Sequence, residues 1–149
     1  MNLKQITNMN KEFIPYEQAL ALKELGFDEE CISFYNQDDE NKLGIHAQFD
    51  TYNISASKNS TKIKSSRGNN ILNLVSAPLY QQAFRWFREK YGLDSNTINT
   101  NMWNTFSFVI NDIPNKNPIT TYLDFNTHEE AELECLKKLI EIVKQNNNE

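Results

Sequence analysis

Ser76-Ala-Pro-Leu-Tyr-Gln-Gln-Ala-Phe-Arg-Trp-Phe-Arg-Glu-Lys-Tyr-Gly92 reads as one amphipathic helix with both ends marked. Ser76 is placed to cap it, Pro78 to occupy its first turn, where a missing N–H costs nothing, and Gly92 to end it in a left-handed conformation. On a helical wheel Tyr80, Ala83, Phe84, Phe87 and Tyr91 share one apolar sector, as a core-facing stripe does. Trp86 lies about 120° from the centre of that sector, at ~100° per residue. Such a tryptophan either packs under a neighbouring segment or stands at the surface as an interface anchor.

Other segments take their type from this one. Pro15 to Leu25 predicts a short helix with Ala19, Leu20, Leu22 and Leu25 apolar and Gly26 as its stop. Cys31–Tyr35 and Gly44–Phe49 read as strands joined by the polar Gln37–Lys42; in the second, Ile45, Ala47 and Phe49 alternate with His46 and Gln48. Residues 52–56 suggest a third strand. Asn104–Asn111 and Thr121–Phe125 flank a Pro114–Pro118 turn, which predicts a second hairpin.

The last helix opens on Thr127-His-Glu-Glu130, a capping box in which Thr127 accepts from the Glu130 N–H and Glu130 returns a bond to Thr127. Leu133, Leu136, Ile140 and Val143 form its stripe, widened by Ala131, Cys135 and Leu139. Helices and hairpins without regular βαβ alternation give the α+β class. The expectation is a single domain over 1–149: an antiparallel sheet of about four to five strands packed against three helices, in the order α-ββ(β)-α-ββ-α. Residues 1–12 and 145–149 are expected to be flexible ends.

At 149 residues the chain can bury roughly 70% of its extended surface without disulfides. Its two cysteines, Cys31 and Cys135, have no metal-ligand or redox spacing and read as small buried hydrophobes. No apolar run reaches the ~20 residues of a membrane span, so a protein without membrane contact is expected. The net charge of −5 argues against wholesale wrapping of nucleic acid, although net charge conceals local patches.

One patch exists. Lys58, Lys62, Lys64 and Arg67 place four positive charges and no negative one within ten residues. The stretch 57–70 breaks every periodic pattern and reads as an exposed basic loop, whose phosphate contacts would be salt-sensitive and unspecific. Arg85 and Arg88, one turn apart beside the helical stripe, suit a phosphate or carboxylate as well as acidic neighbours on the surface.

Catalytic signals are sparse. His46 and His128 have no nucleophile placed by sequence, Asp38-Asp-Glu40 lacks the ligand spacing of a calcium loop, and four scattered glycines form no phosphate loop. Neither a metal nor a cofactor is expected, and the chain does not read as an enzyme.

Three blocks, Pro15–Phe27, Ser76–Tyr91 and His128–Val143, together about a third of the chain, resemble in this order small proteins of bacteriophages and prophages, especially of Bacteroidetes. The resemblance implies a phage-related protein acting in a bacterial cytoplasm. It implies no activity, and no functional residue carries over. The expectation is a phage-derived accessory protein that binds a host or phage protein through Trp86, Arg85 and Arg88. One alternative is a nucleic-acid-associated protein using Lys58 to Arg67 together with Arg85 and Arg88. Another is a nucleotide-like small-ligand binder or an enzyme whose site is assembled from distant residues. Self-association is open as well, through the broad apolar face of the last helix.

Overall fold

The computed structural model describes residues 11–36, 39–45, 62–64, 71–100 and 105–147, and the chain divides into two compact units, 1–79 and 80–149, where the sequence reads as one domain. Within the first unit, helix α1 (Tyr16–Glu24) follows Pro15, whose extended backbone (φ −63°, ψ 159°) lets its carbonyl accept from Ala19 N at 2.9 Å. Gln18, Ala19 and Leu22 turn inward. Gly26 stops the helix at φ +83°, a conformation a Cβ would disfavour; its N–H reaches Lys23 O at 3.0 Å while Phe27 N–H reaches Leu22 O at 2.9 Å. That pair of bonds is the Schellman arrangement, and the terminus predicted at Gly26 is the one observed.

Strand β1 (Ser33–Asn36) pairs antiparallel with β2 (Asp39–Ile45) on one side and with β4 (Ile71–Ser76) on the other. β3 (Lys62–Lys64) closes the sheet against β4, in the order β2-β1-β4-β3. Phe34, Tyr35, Leu74 and Val75 are buried. Ser33 Oγ donates to Ala77 O at 2.7 Å, and Tyr35 Oη donates to Ile14 O at 2.8 Å, so these two buried hydroxyls of β1 both have acceptors. The Ile14 N–H to Pro78 O bond (3.1 Å) ties the segment before α1 to the end of β4.

Three expectations change here. Asp39 to Lys42, read as part of the polar connection between two strands, belong to β2 itself. Ser76 does not cap a helix, because it lies in β4 opposite Phe34. Pro78 explains why: the residue before a proline is held extended, so Ala77 continues the strand direction and helix α2 (Tyr80–Tyr91) starts only beyond it. The basic stretch is not wholly a loop, since Lys62, Ile63 and Lys64 form β3 against Asn73, Leu72 and Ile71. The strand read at 52–56, His46–Phe49, Lys58 and Arg67 lie outside the described residues, as do 1–10 and 148–149 of the two ends read as flexible, whereas Gln145 and Asn146 belong to the last helix.

In the second unit, α2 leads through Gly92 (φ +69°) into β5 (Leu93–Thr100), which pairs in unbroken antiparallel register with β6 (Thr105–Asp112). β6 then pairs with β7 (Asn117–Phe125). The turn between them is held by Asp112, whose carboxylate accepts from Asn115 N at 3.1 Å and from Asn115 Nδ2 at 2.8 Å. Lys116 completes the reversal at φ +56°. At the other end of the sheet Thr105 Oγ1 donates to Asp124 Oδ1 (3.1 Å), and Thr100 Oγ1, 2.6 Å from Thr105 Oγ1, donates to Thr105 O at 3.1 Å.

Helix α3 (His128–Asn146) packs on β5, β6 and β7 and against α2. Thr127 Oγ1 accepts from Glu130 N at 3.1 Å as expected; Glu130 Oε2 in return accepts from Asn126 N at 3.1 Å, one residue before the predicted partner. Ala131, Cys135, Leu136, Leu139, Ile140, Ile142 and Val143 are buried, which adds Ile142 to the predicted stripe and leaves Leu133 half-buried. This face is therefore covered within its own unit rather than offered to a second copy.

The α+β class and the placing of a helix at the start, middle and end hold. Among the described residues the strands form two sheets, of four and three strands, rather than one. The added strands are β3, β4 and β5.

Candidate functional site

Helix α2 carries three of the expected contact residues. Trp86, 4% exposed, is a core residue. Its ring meets Phe87 edge-on at 5.0 Å and Tyr91 edge-on at 5.3 Å, with Lys90 Nζ 4.8 Å from the ring centroid. Edge-on rings and an overlying cation are the arrangement that the negative faces of aromatic rings favour. The expectation of a surface anchor is thus corrected. The buried sector of α2 is wider than its stripe, because aromatic residues at 86, 87 and 91 enclose one another.

Arg85 and Arg88 are exposed. Arg88 Nη1 lies 3.5 Å from Asp94 Oδ1 at the start of β5, with both side chains partly solvated. An ion pair of that length and exposure contributes no more than about 1 kcal/mol. Without an accessible Trp86 the two arginines present charge but no apolar anchor.

In the basic stretch, β3 brings Lys62 and Lys64 to an edge of the four-stranded sheet. Lysines at alternate positions of an edge strand deter pairing with a foreign strand and concentrate positive potential there. Neither consequence follows for a loop. The signal that reveals it is the apolar run Ile71-Leu72-Asn73-Leu74-Val75, which supplies the neighbouring strand.

The other titratable groups that the structure describes pair locally. His128 Nδ1 is 3.4 Å from Glu132 Oε2 and its ring stands edge-on to Phe106 at 5.8 Å, a pairing within one turn of an exposed helix start. Asp39 and Glu40 belong to β2. Among the described residues no three His, Cys, Asp or Glu side chains gather as a metal site would require. Among them, too, no helix is long and apolar enough to cross a membrane.

Both cysteines are buried thiols outside any disulfide. Burial pushes the Cys135 thiol up to about 12; the Ser95 hydroxyl partly opposes this and the Glu132 carboxylate adds to it. Ser95 Oγ lies close enough to favour the thiolate yet reaches no partner in hydrogen-bond geometry. A thiol so protonated and enclosed is not a nucleophile near neutral pH.

The sign of its effect on stability follows from linkage. Cys135 binds its proton more tightly folded than unfolded, so its contribution is complete below the ordinary thiol value of about 8.5 and declines as pH rises from there towards 12. We expect thiol reagents at mildly alkaline pH to leave the native protein untouched and to label two thiols in denaturant. Rapid labelling of Cys135 in the native protein would contradict its placement in the core.

No model of a known protein family, no curated protein and no solved structure matches the chain. A functional reading therefore has to be carried by the residues themselves.

Proposed function

We propose that this protein is an accessory nucleic-acid-binding module of phage origin, which contacts phosphates through Lys58, Lys62, Lys64 and Arg67. The phage attribution is supported by the resemblance of three sequence blocks. The binding reading is carried by one observation: four cations without an anion in ten residues of a chain of net charge −5, with two of them on an edge strand.

Phosphate contacts of this kind position a nucleic acid without reading its sequence, and a single strand follows a short basic track most readily. The acidic remainder of the chain limits the contact to that track. A protein partner, the alternative the arginines of α2 would serve, loses its main support with the burial of Trp86.

Fluorescence anisotropy with a labelled single-stranded oligonucleotide tests the proposal. Four phosphate contacts predict a log–log salt slope of about −2.8, so that affinity drops about fifty-fold between about 50 and 200 mM salt. Replacing the four cations with alanine should abolish binding, whereas Arg85→Ala/Arg88→Ala should leave it unchanged. Binding that survives the quadruple substitution, or no binding at the lowest salt, would overturn the proposal.

A further inference from the structure

Edges of the two sheets are treated differently by the sequence. The four-stranded sheet ends in β3, which carries Lys62 and Lys64. In the three-stranded sheet the β7 edge carries Pro118, which cannot donate to an added strand. β5, its other edge, has neither device over eight residues, Leu-Asp-Ser-Asn-Thr-Ile-Asn-Thr. Among the described residues it pairs only with β6.

Proteins ordinarily blunt such an edge, because a row of unpaired N–H and C=O groups is a template for another strand. Here the only charge on the strand is Asp94, which already lies beside Arg88 at its beginning. Asn96, Ile98 and Asn99 are exposed, and Ile98, at 42%, is one of three large apolar side chains so exposed among the described residues.

We propose that β5 pairs antiparallel with β5 of a second copy of this chain, about a two-fold axis near Ile98. The strand is self-complementary in that orientation. Each Ile98 meets Ile98 of the other copy, Thr97 faces Asn99 and Asn96 faces Thr100, so apolar meets apolar and uncharged polar groups meet one another. Asp94 stays outside the paired span. A parallel pairing in register would instead set Asp94 beside Asp94, a like-charge contact that disfavours it.

An isologous contact of this kind closes after two copies and joins two three-stranded sheets into one of six strands. Residues 96–100 of each strand make the pairing, so the dimer population rises with protein concentration. The inference rests on β5 alone and is independent of the nucleic-acid reading.

Sedimentation equilibrium of the full chain over a wide concentration range is the test. The apparent mass should rise from 17.4 kDa towards twice that value. Ile98→Lys and Asn96→Lys, each facing its own kind or a neighbour across the axis, should hold the mass at the monomer value while circular dichroism stays unchanged. Ile98→Cys gives a separate readout, because the native cysteines are buried: a short bis-maleimide should link two Cys-substituted chains and leave the parent protein unlinked. A parent protein monomeric at every concentration would overturn the proposal. So would a dimer that persists in both lysine variants, or an Ile98→Cys protein that resists cross-linking under conditions where the parent sediments as a dimer.

Discussion

Replacing Trp86 with alanine lowers stability by about 3–5 kcal/mol, the range for deleting a large buried aromatic side chain. The side chain is 4% exposed and stands edge-on to Phe87 and Tyr91, so its removal leaves a cavity bounded by rings that cannot collapse into it without giving up their own contacts. The Lys90 ammonium also loses the ring face over which it sits at 4.8 Å. At about 2–4 °C per kcal/mol for a chain of this length, the midpoint of thermal unfolding falls by roughly 6–20 °C. Denaturant unfolding checks the magnitude. The difference in fluorescence between parent and variant isolates Trp86 from Trp103, and its emission should be blue-shifted. An unchanged midpoint with red-shifted emission would return Trp86 to the surface and restore the protein-partner reading.

Gly92→Ala has the next largest expected effect, for two separable reasons. Gly92 adopts φ +69°, where a side chain strains the backbone by about 1–3 kcal/mol. An added Cβ would also stand 2.7 Å from Pro114 Cδ and 2.9 Å from Pro114 Cγ, closer than such atoms approach, and relieving that overlap costs about 1–3 kcal/mol more. The backbone has little freedom to move away. Gly92 N–H is bonded to Arg88 O at 3.0 Å and Gly92 O to Ile113 N at 2.9 Å, which ties the end of α2 to the β6–β7 turn. A double-mutant cycle with Pro114→Ala separates the causes. Removing part of the ring should recover the steric share and leave the backbone share in place. If Gly92→Ala unfolds at the parent's midpoint, neither the left-handed conformation nor the close approach of Pro114 exists as described.

Helices were legible because their ends carry chemistry. Gly26 and Gly92 both adopt the positive φ that their positions after apolar stripes predict, and Thr127 caps α3 through Glu130 as its spacing from that residue requires. The hairpin of β6 and β7 was legible from the apolar run Phe106–Ile110 and from the prolines and asparagines of the turn. β5 was not, because Asp94-Ser-Asn-Thr-Ile-Asn-Thr100 contains no apolar alternation. It is a strand because β6 offers it eight consecutive pairing positions. β4 is masked for the opposite reason: its apolar residues adjoin a strong helix signal, and Ser76 has the chemistry of a cap for that helix.

For the candidate site the division is similar. The charge of Lys58 to Arg67 is a property of residue order alone and needed no structure. That Lys62 and Lys64 belong to an edge strand depends on β4, whose own partner β1 lies about forty residues earlier in the chain.

Sequence by itself determined the α+β class, the three helices with their stops, the cap of α3, the burial of both cysteines and the one basic stretch. Each follows from side-chain periodicity or from the conformational limits of glycine, proline and threonine, which act within a few residues. Tertiary structure alone decided that Trp86 is core and that, among the described residues, the strands divide into sheets of four and three with β5 as an unblunted edge. Those outcomes depend on which segments meet across long stretches of chain, and pairing between distant backbones leaves no local pattern to read.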